Sequence, residues 1–157
     1  MRLRQVTLLL FAIVFFASCQ KNTVSKIPHI ALMAFQPDSS MRVNLDTCYI
    51  EFSLVDGDGD IGSSMNGSDT VSVIYLQDSR SVGSFTKTAF PAIDRSIEDP
   101  KKGLQGTCVF YPLPQPVPRP DSIHHAFGDT LSYELYITDR AGHASNHITT
   151  HPLIITP

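Results

Sequence analysis

The sequence predicts an all-β fold, an antiparallel β-sandwich, and three observations lead to it. Beyond residue 27, apolar side chains recur at every second position in segment after segment, the period of a strand with one buried face. No window of about a dozen residues in that region carries an apolar stripe at helical spacing. Clusters of Gly, Pro, Asp, Asn and Ser punctuate the alternating segments, and these residues set turns. Short strands separated by frequent turns bury their apolar faces by packing as two layers around one core.

The first 18 residues stand apart from that pattern. Arg2 and Arg4 precede an apolar run from Val6 to Ala17, interrupted by Thr7, and Ala17-Ser18 place small residues before Cys19. A basic start, a short apolar run and small residues at a cut site are the parts of a secretory signal peptide. The run is well short of the ~20 residues that span a bilayer. Residues 19–26 are polar and unpatterned, a tether reaching at most about 25 Å when extended. The domain proper is expected over 27–157.

Its strands follow in order. Ile30, Leu32 and Ala34 alternate in the first, and Cys48, Ile50, Phe52 and Leu54 share one face of the second, 46–55. In the third, 70–77, Val71, Val73 and Tyr75 face one way and Ile74 and Leu76 the other. A weak strand is expected within 84–95, then turn chemistry at 99–103. Residues 107–113 form another strand, on which Cys108 alternates with Phe110. Five prolines between Pro112 and Pro120 exclude a central strand there. Leu131, Tyr133, Leu135 and Ile137 line one face of 130–138; residues 139–143 turn, and 144–156 return as the last strand. About seven strands fit an immunoglobulin-like layout, although the chain has no Trp to form the buried Trp between two cysteines of antibody domains.

Charge narrows the partners. The formal charge is −3, and it becomes more acidic once Arg2 and Arg4 leave with the signal. With no basic cluster, nucleic acid is not expected as a partner. Anionic lipid is not attracted either, so any membrane attachment is covalent.

The strongest chemical signal is Asp56-Gly57-Asp58-Gly59-Asp60-Ile61-Gly62. Three carboxylates at alternate positions repel one another unless a cation neutralises them, and the glycines permit tight turns. Calcium takes six to eight oxygen ligands and suits such a loop. The loop is not an EF-hand, because Ile61 and Gly67 stand where that motif needs Gly and Glu. The alternative is a solvated turn whose aspartates cap backbone N–H groups.

Cys48 and Cys108 would reside in an oxidising space after export. They form either a disulfide or two free buried thiols. His143, His147 and His151 recur every four residues, but four strand residues span about 13 Å, so the three cannot share one ion. They read as surface histidines, as do His124 and His125. The chain has no G-x-S-x-G elbow and no phosphate-cradling glycine loop. No catalytic residues are assigned, and no enzyme is expected.

Two resemblances add to this. Phe16-Ala17-Ser18-Cys19 resembles the lipobox of bacterial lipoproteins, although Phe16 stands where Leu, Val or Ile is usual. That resemblance implies lipidation of Cys19, which becomes the first residue of the mature protein. Asp139-Arg140-Ala141-Gly142-His143-Ala144-Ser145 resembles the D-x-A-G-N-x-S turn of bacterial immunoglobulin-like and cadherin-like domains, with His143 in the place of Asn. With the DGDGDIG loop, the whole is similar to small lipoproteins of the Bacteroidetes type. In an immunoglobulin-like order the loop after the second strand and the last hairpin share one end of the sandwich. The resemblance therefore implies that Asp139 joins Asp56, Asp58 and Asp60 around a structural calcium ion, close to the tether.

The expected protein is a lipid-anchored structural or interaction module of the cell envelope, held at the outer membrane. Such lipoproteins use an acidic run as their surface-export signal, and none follows Cys19, so the domain is expected to face the periplasm. The alternative is a ligand- or glycan-binding accessory lipoprotein of a nutrient uptake system. Cys19→Ala is expected to leave an uncleaved or soluble precursor, since no other segment is apolar enough to hold the mature domain in a membrane. Quantitative retention of the variant on alkaline-washed membranes contradicts the anchor.

Overall fold

The computed structural model describes residues 24–42, 45–63, 71–93, 103–112 and 129–156. Those residues contain strands and no helix, and hence no helix long and apolar enough to cross a membrane. The strands are β1 (His29–Gln36), β2 (Ser40–Arg42), β3 (Tyr49–Asp56), β4 (Val73–Asp78), β5 (Thr86–Ala89), β6 (Leu104–Phe110), β7 (Asp129–Leu131), β8 (Tyr133–Thr138), β9 (Ile148–Thr149) and β10 (Leu153–Thr156). They form three sheets ordered β1-β3-β6, β2-β10-β7 and β5-β4-β8-β9. Every pairing is antiparallel except β2 with β10, which is parallel.

One apolar core draws on all three sheets. Ile50, Phe52 and Leu54 of β3, Leu135 and Ile137 of β8, and Leu153 and Ile155 of β10 are buried in it. Burying each such side chain contributes about 1.5–3 kcal/mol relative to leaving it in water. The even positions of β3 and the odd positions of β7 and β8 face inward, as their alternation predicts. In β4 the pair Ile74 and Leu76 takes the core and Tyr75 the outer face.

Two departures from the sequence pattern have physical causes. Along β1, Leu32 pairs with Phe52 but Ala34 pairs with Glu51, so Met33 is an inserted residue. One extra residue reverses the faces of everything beyond it. Phe35 is therefore buried where the alternation from Ile30 would bury Ala34, and Met33 is exposed. The expected strands 130–138 and 144–156 are each divided between sheets. β7 and β10 pair with each other, as do β8 and β9, but the 148–156 side carries one residue more at His151 and Pro152. A bulge at this point bends both chains from one sheet into the next and leaves Pro152 outside the ladder, where its missing N–H costs nothing. This division, with the short β2, is why ten strands appear among the described residues where about seven are expected.

Cys48 and Cys108 are free thiols, so the disulfide that the sequence left open is not formed. The register explains it. Cys108 lies opposite Phe52, four residues from Cys48. That offset is about 13 Å along a strand, beyond the ~7 Å Cα limit for a bridge. Both side chains pack against the core, and burial pushes both thiols up in pKa. Alkylation of the unfolded, unreduced protein is expected to label both cysteines. A product labelled at neither position contradicts this register.

Candidate metal centre

β3 and β8 are interior strands of two different sheets, and both run out at the same end of the domain. β3 closes on Asp56, which is fully buried, and the chain then turns through Gly57 to Asp60. Gly59 adopts a φ of 70°, a conformation that favours Gly at this sharp turn. β8 is followed immediately by Asp139, only 1% exposed. Each of Asp56, Asp58, Asp60 and Asp139 offers a carboxylate oxygen, and those oxygens all lie within 4.8 Å of one another. Two oxygens on opposite sides of one calcium ion, each ~2.4 Å away, stand about 4.8 Å apart. The cluster has the dimensions of a single-ion site. Four aspartates thus form a group that could hold a metal ion.

Part of the cluster is satisfied by the backbone. The Asp60 amide donates to Asp56 Oδ2 at 2.9 Å, and the Ala141 amide donates to Asp60 Oδ2 at 3.0 Å. The Arg140 amide donates to the Asp60 carbonyl at 3.3 Å, so the two loops are joined directly. The His143 amide donates to Asp139 Oδ1 at 2.7 Å, and His143 Nδ1 meets Asp139 Oδ2 at 2.7 Å. The other half is not satisfied. Asp56 Oδ1, Asp58 Oδ1 and Asp60 Oδ1 are buried without a hydrogen-bond partner. A buried, unpartnered carboxylate oxygen loses its hydration with nothing in return, a penalty of several kcal/mol for an ionised group. Three such oxygens in one place make a capped turn an incomplete account of this loop, because the backbone caps leave Oδ1 of Asp56, Asp58 and Asp60 unused.

The electrostatics agree. Burial, reinforced by Asp58 and Asp60, pushes the Asp56 carboxyl up to about 6. Asp60 is also raised, by burial first and then by Asp139 and Asp58. His143 is raised by its hydrogen bond to Asp139, so the imidazolium is favoured beside the cluster. Without a cation these carboxylates resist ionisation; with one, the charge they concentrate is what binds it.

Three functional contacts escaped sequence reasoning. His143 is a surface histidine, as expected, but it is not free, since it holds Asp139 from outside the cluster; the signal was the Asp139-to-His143 spacing within one turn. Asn146 acts as a one-residue strand, accepting from the Ile30 amide at 2.9 Å and donating to the Ile30 carbonyl at 2.8 Å. Ser25 accepts a 2.8 Å hydrogen bond from the Gly57 amide, which places residues 24–26 against the aspartate loop. His147 stacks on Tyr136 and His151 packs against Phe35, so neither belongs to the centre. Cys19, His124 and His125 lie outside the described residues.

The chain matches no protein-family model, no curated protein and no solved structure. The chemistry of the site rests on its own geometry.

The raised carboxyls give the metal-free domain an inverted acid response. The folded state holds protons more tightly than the unfolded chain between pH ~4 and ~6. Stability from Asp56 is therefore present below pH ~4 and is lost as pH rises through 6, by on the order of 3 kcal/mol for this fully buried group. In chelator, the melting temperature is expected to fall between pH 4 and 6, and Asp56→Asn is expected to flatten that slope. A melting temperature that rises steadily over this window in the wild type contradicts the buried-charge description.

Proposed function

We propose that this chain is a non-enzymatic, lipid-anchored structural or interaction module of the bacterial cell envelope. Its aspartate centre binds calcium and fixes one end of an immunoglobulin-like sandwich. The observation that carries the calcium reading is the set of three buried, unpartnered oxygens on Asp56, Asp58 and Asp60, in a cluster where these residues and Asp139 bring carboxylate oxygens within single-ion distance. Four carboxylates are a calcium-like donor set. Magnesium prefers one or two carboxylates with several retained waters in a rigid octahedron, and zinc prefers nitrogen and sulfur. Because the donors come from β3 and β8, the ion would link two sheets and act as a cross-brace. In this reading Cys19 is lipidated, as its lipobox-like signal suggests; the outer membrane is suggested by the resemblance to Bacteroidetes-type lipoproteins, and a periplasm-facing domain by the lack of an acidic run after Cys19.

A second reading, a glycan-binding accessory lipoprotein of a nutrient uptake system, draws on the outer face of the β5-β4-β8-β9 sheet. There Lys87, Tyr75, Tyr136 and His147 form a cross-strand row, with Tyr75 and Tyr136 stacked at 4.5 Å and Tyr136 and His147 at 4.4 Å. Beside it lies an open depression of about 280 Å³ lined by Gln77, Ser79, Val82, Ser132, Glu134 and Thr149. Rings stacked on one another present edges to solvent and use up the faces on which a sugar would lie. The row is better suited to bracing the sheet, and this reading stands second.

Calcium bound only by the folded state stabilises it in proportion to occupancy. With an affinity of about 10⁻⁴–10⁻³ M, typical of extracellular modules, millimolar calcium is worth about 0.5–1.5 kcal/mol. That is a rise of a few degrees in melting temperature for a domain of this size. The double variant Asp58→Asn, Asp60→Asn is expected to lose the calcium-dependent rise and to be as stable as the wild type, or more so, in chelator. Equal melting temperatures for wild type in calcium and in chelator would return the loop to a capped turn.

A further inference from the structure

We infer that the calcium centre is also a clamp for the chain segment Val24–Lys26, so that ion binding and docking of this segment strengthen each other. The inference rests on the calcium reading above and adds a regulated contact to it. The Gly57 amide, between the first two aspartates, donates to the Ser25 carbonyl at 2.8 Å. A Cβ on Gly57 would overlap the carbonyl oxygens of both Val24 and Ser25, so the segment sits directly on the glycine. On the other side of the loop, Gly103 has a φ of 73°, and a Cβ there would overlap the Asp56 carbonyl. The loop is thus held between the start of β6 and the incoming chain, and only glycine fits at either contact. Lys26 adds an ammonium 4.0 Å from Asp58 Oδ2, but it is 76% exposed and contributes little.

The sign of the coupling follows from what the ion does to the loop. Without it, Asp56, Asp58 and Asp60 repel across a shared centre and leave three oxygens unsatisfied. That repulsion is relieved by opening the loop, which carries Gly57 away from Ser25. With the ion bound, the loop is fixed in the shape that docks Val24 and Ser25, and the ordering cost of docking is already met. Linkage makes the effect reciprocal: whatever factor calcium adds to docking, docking adds to calcium affinity. Calcium would then decide whether the domain is held against the chain that leads into β1 or swings on it.

Limited digestion of the full chain with a lysine-specific protease that needs no calcium tests this at the Lys26–Ile27 bond, and calcium titration supplies the reciprocal measurement. Calcium is expected to slow cleavage at that bond by about fivefold or more, and Gly57→Ala is expected to weaken calcium binding by the same factor. The double variant Val24→Gly, Ser25→Gly leaves the aspartate loop untouched and raises the entropy cost of docking. It should weaken calcium binding in the same direction, which separates undocking from damage to the loop. Cleavage that ignores calcium, with equal calcium affinity in all three proteins, overturns the clamp and leaves the calcium reading standing. A wild-type chain that binds no calcium overturns both.

Discussion

The organising constraint of this molecule is charge that has been buried without enough partners. Asp56 and Asp139 are among the fully buried side chains, in the company of Phe52, Ile137 and Leu135. A fold does not ordinarily place carboxylates there, since desolvating an ionised group costs more than neighbouring apolar contacts return. Backbone amides answer for one oxygen of Asp56 and one of Asp60, and His143 answers for Asp139. What remains is three buried oxygens without partners, Oδ1 of Asp56, Asp58 and Asp60, in a group of four aspartates that could hold a metal ion. A divalent cation is the smallest addition that could satisfy these oxygens together.

The fold delivers those groups because of where its central strands end. β3 lies between β1 and β6, and β8 lies between β4 and β9, so each is fixed on both sides by ladders and on one face by the core. Rigid strands hold the first residues beyond them to a small volume, which loops alone would not. The remaining joints seal the same end. Asn146 continues the edge of β1, Ser145 Oγ accepts from the Ile137 amide, and Ser72 Oγ accepts from the Gly62 amide. Stability and site are therefore one problem. A cation bridging Asp56 and Asp139 would tie two sheets together at the place where like charges push them apart.

Much of this was legible in the sequence, for a physical reason. Strand alternation in 46–55 and 130–138 is a direct record of burial, so Ile50, Phe52, Leu54, Leu135 and Ile137 could be assigned to the core before any coordinates. The DGDGDIG run states its chemistry locally, because three carboxylates within five residues repel one another unless a cation or caps answer them. The juxtaposition of Asp139 with that run came from a resemblance in the 139–145 turn rather than from the residues themselves. What stayed illegible was non-local or depended on a single inserted residue. The bulge at Met33 leaves the hydrophobic pattern of β1 readable in two phases, and only pairing with β3 selects Phe35. The division of the last two long segments between sheets arises from a mismatch in length between chains that are far apart in sequence. Cys48 and Cys108 both pack against the core, as read, but a register offset of four residues, set only by the pairing of β3 with β6, separates them. The contact of Ser25 with Gly57 has no sequence signal beyond the glycine itself.

The central claim is that one divalent cation completes the Asp56, Asp58, Asp60 and Asp139 cluster. Crystals grown in millimolar calcium, with anomalous diffraction data collected to identify the element, test it most directly. The account predicts one anomalous peak between the four carboxylates, with Oδ1 of Asp56, Asp58 and Asp60 at about 2.3–2.6 Å and six to eight oxygens in all. A centre without an anomalous peak, in which ordered waters hydrogen-bond to those three oxygens, would contradict it.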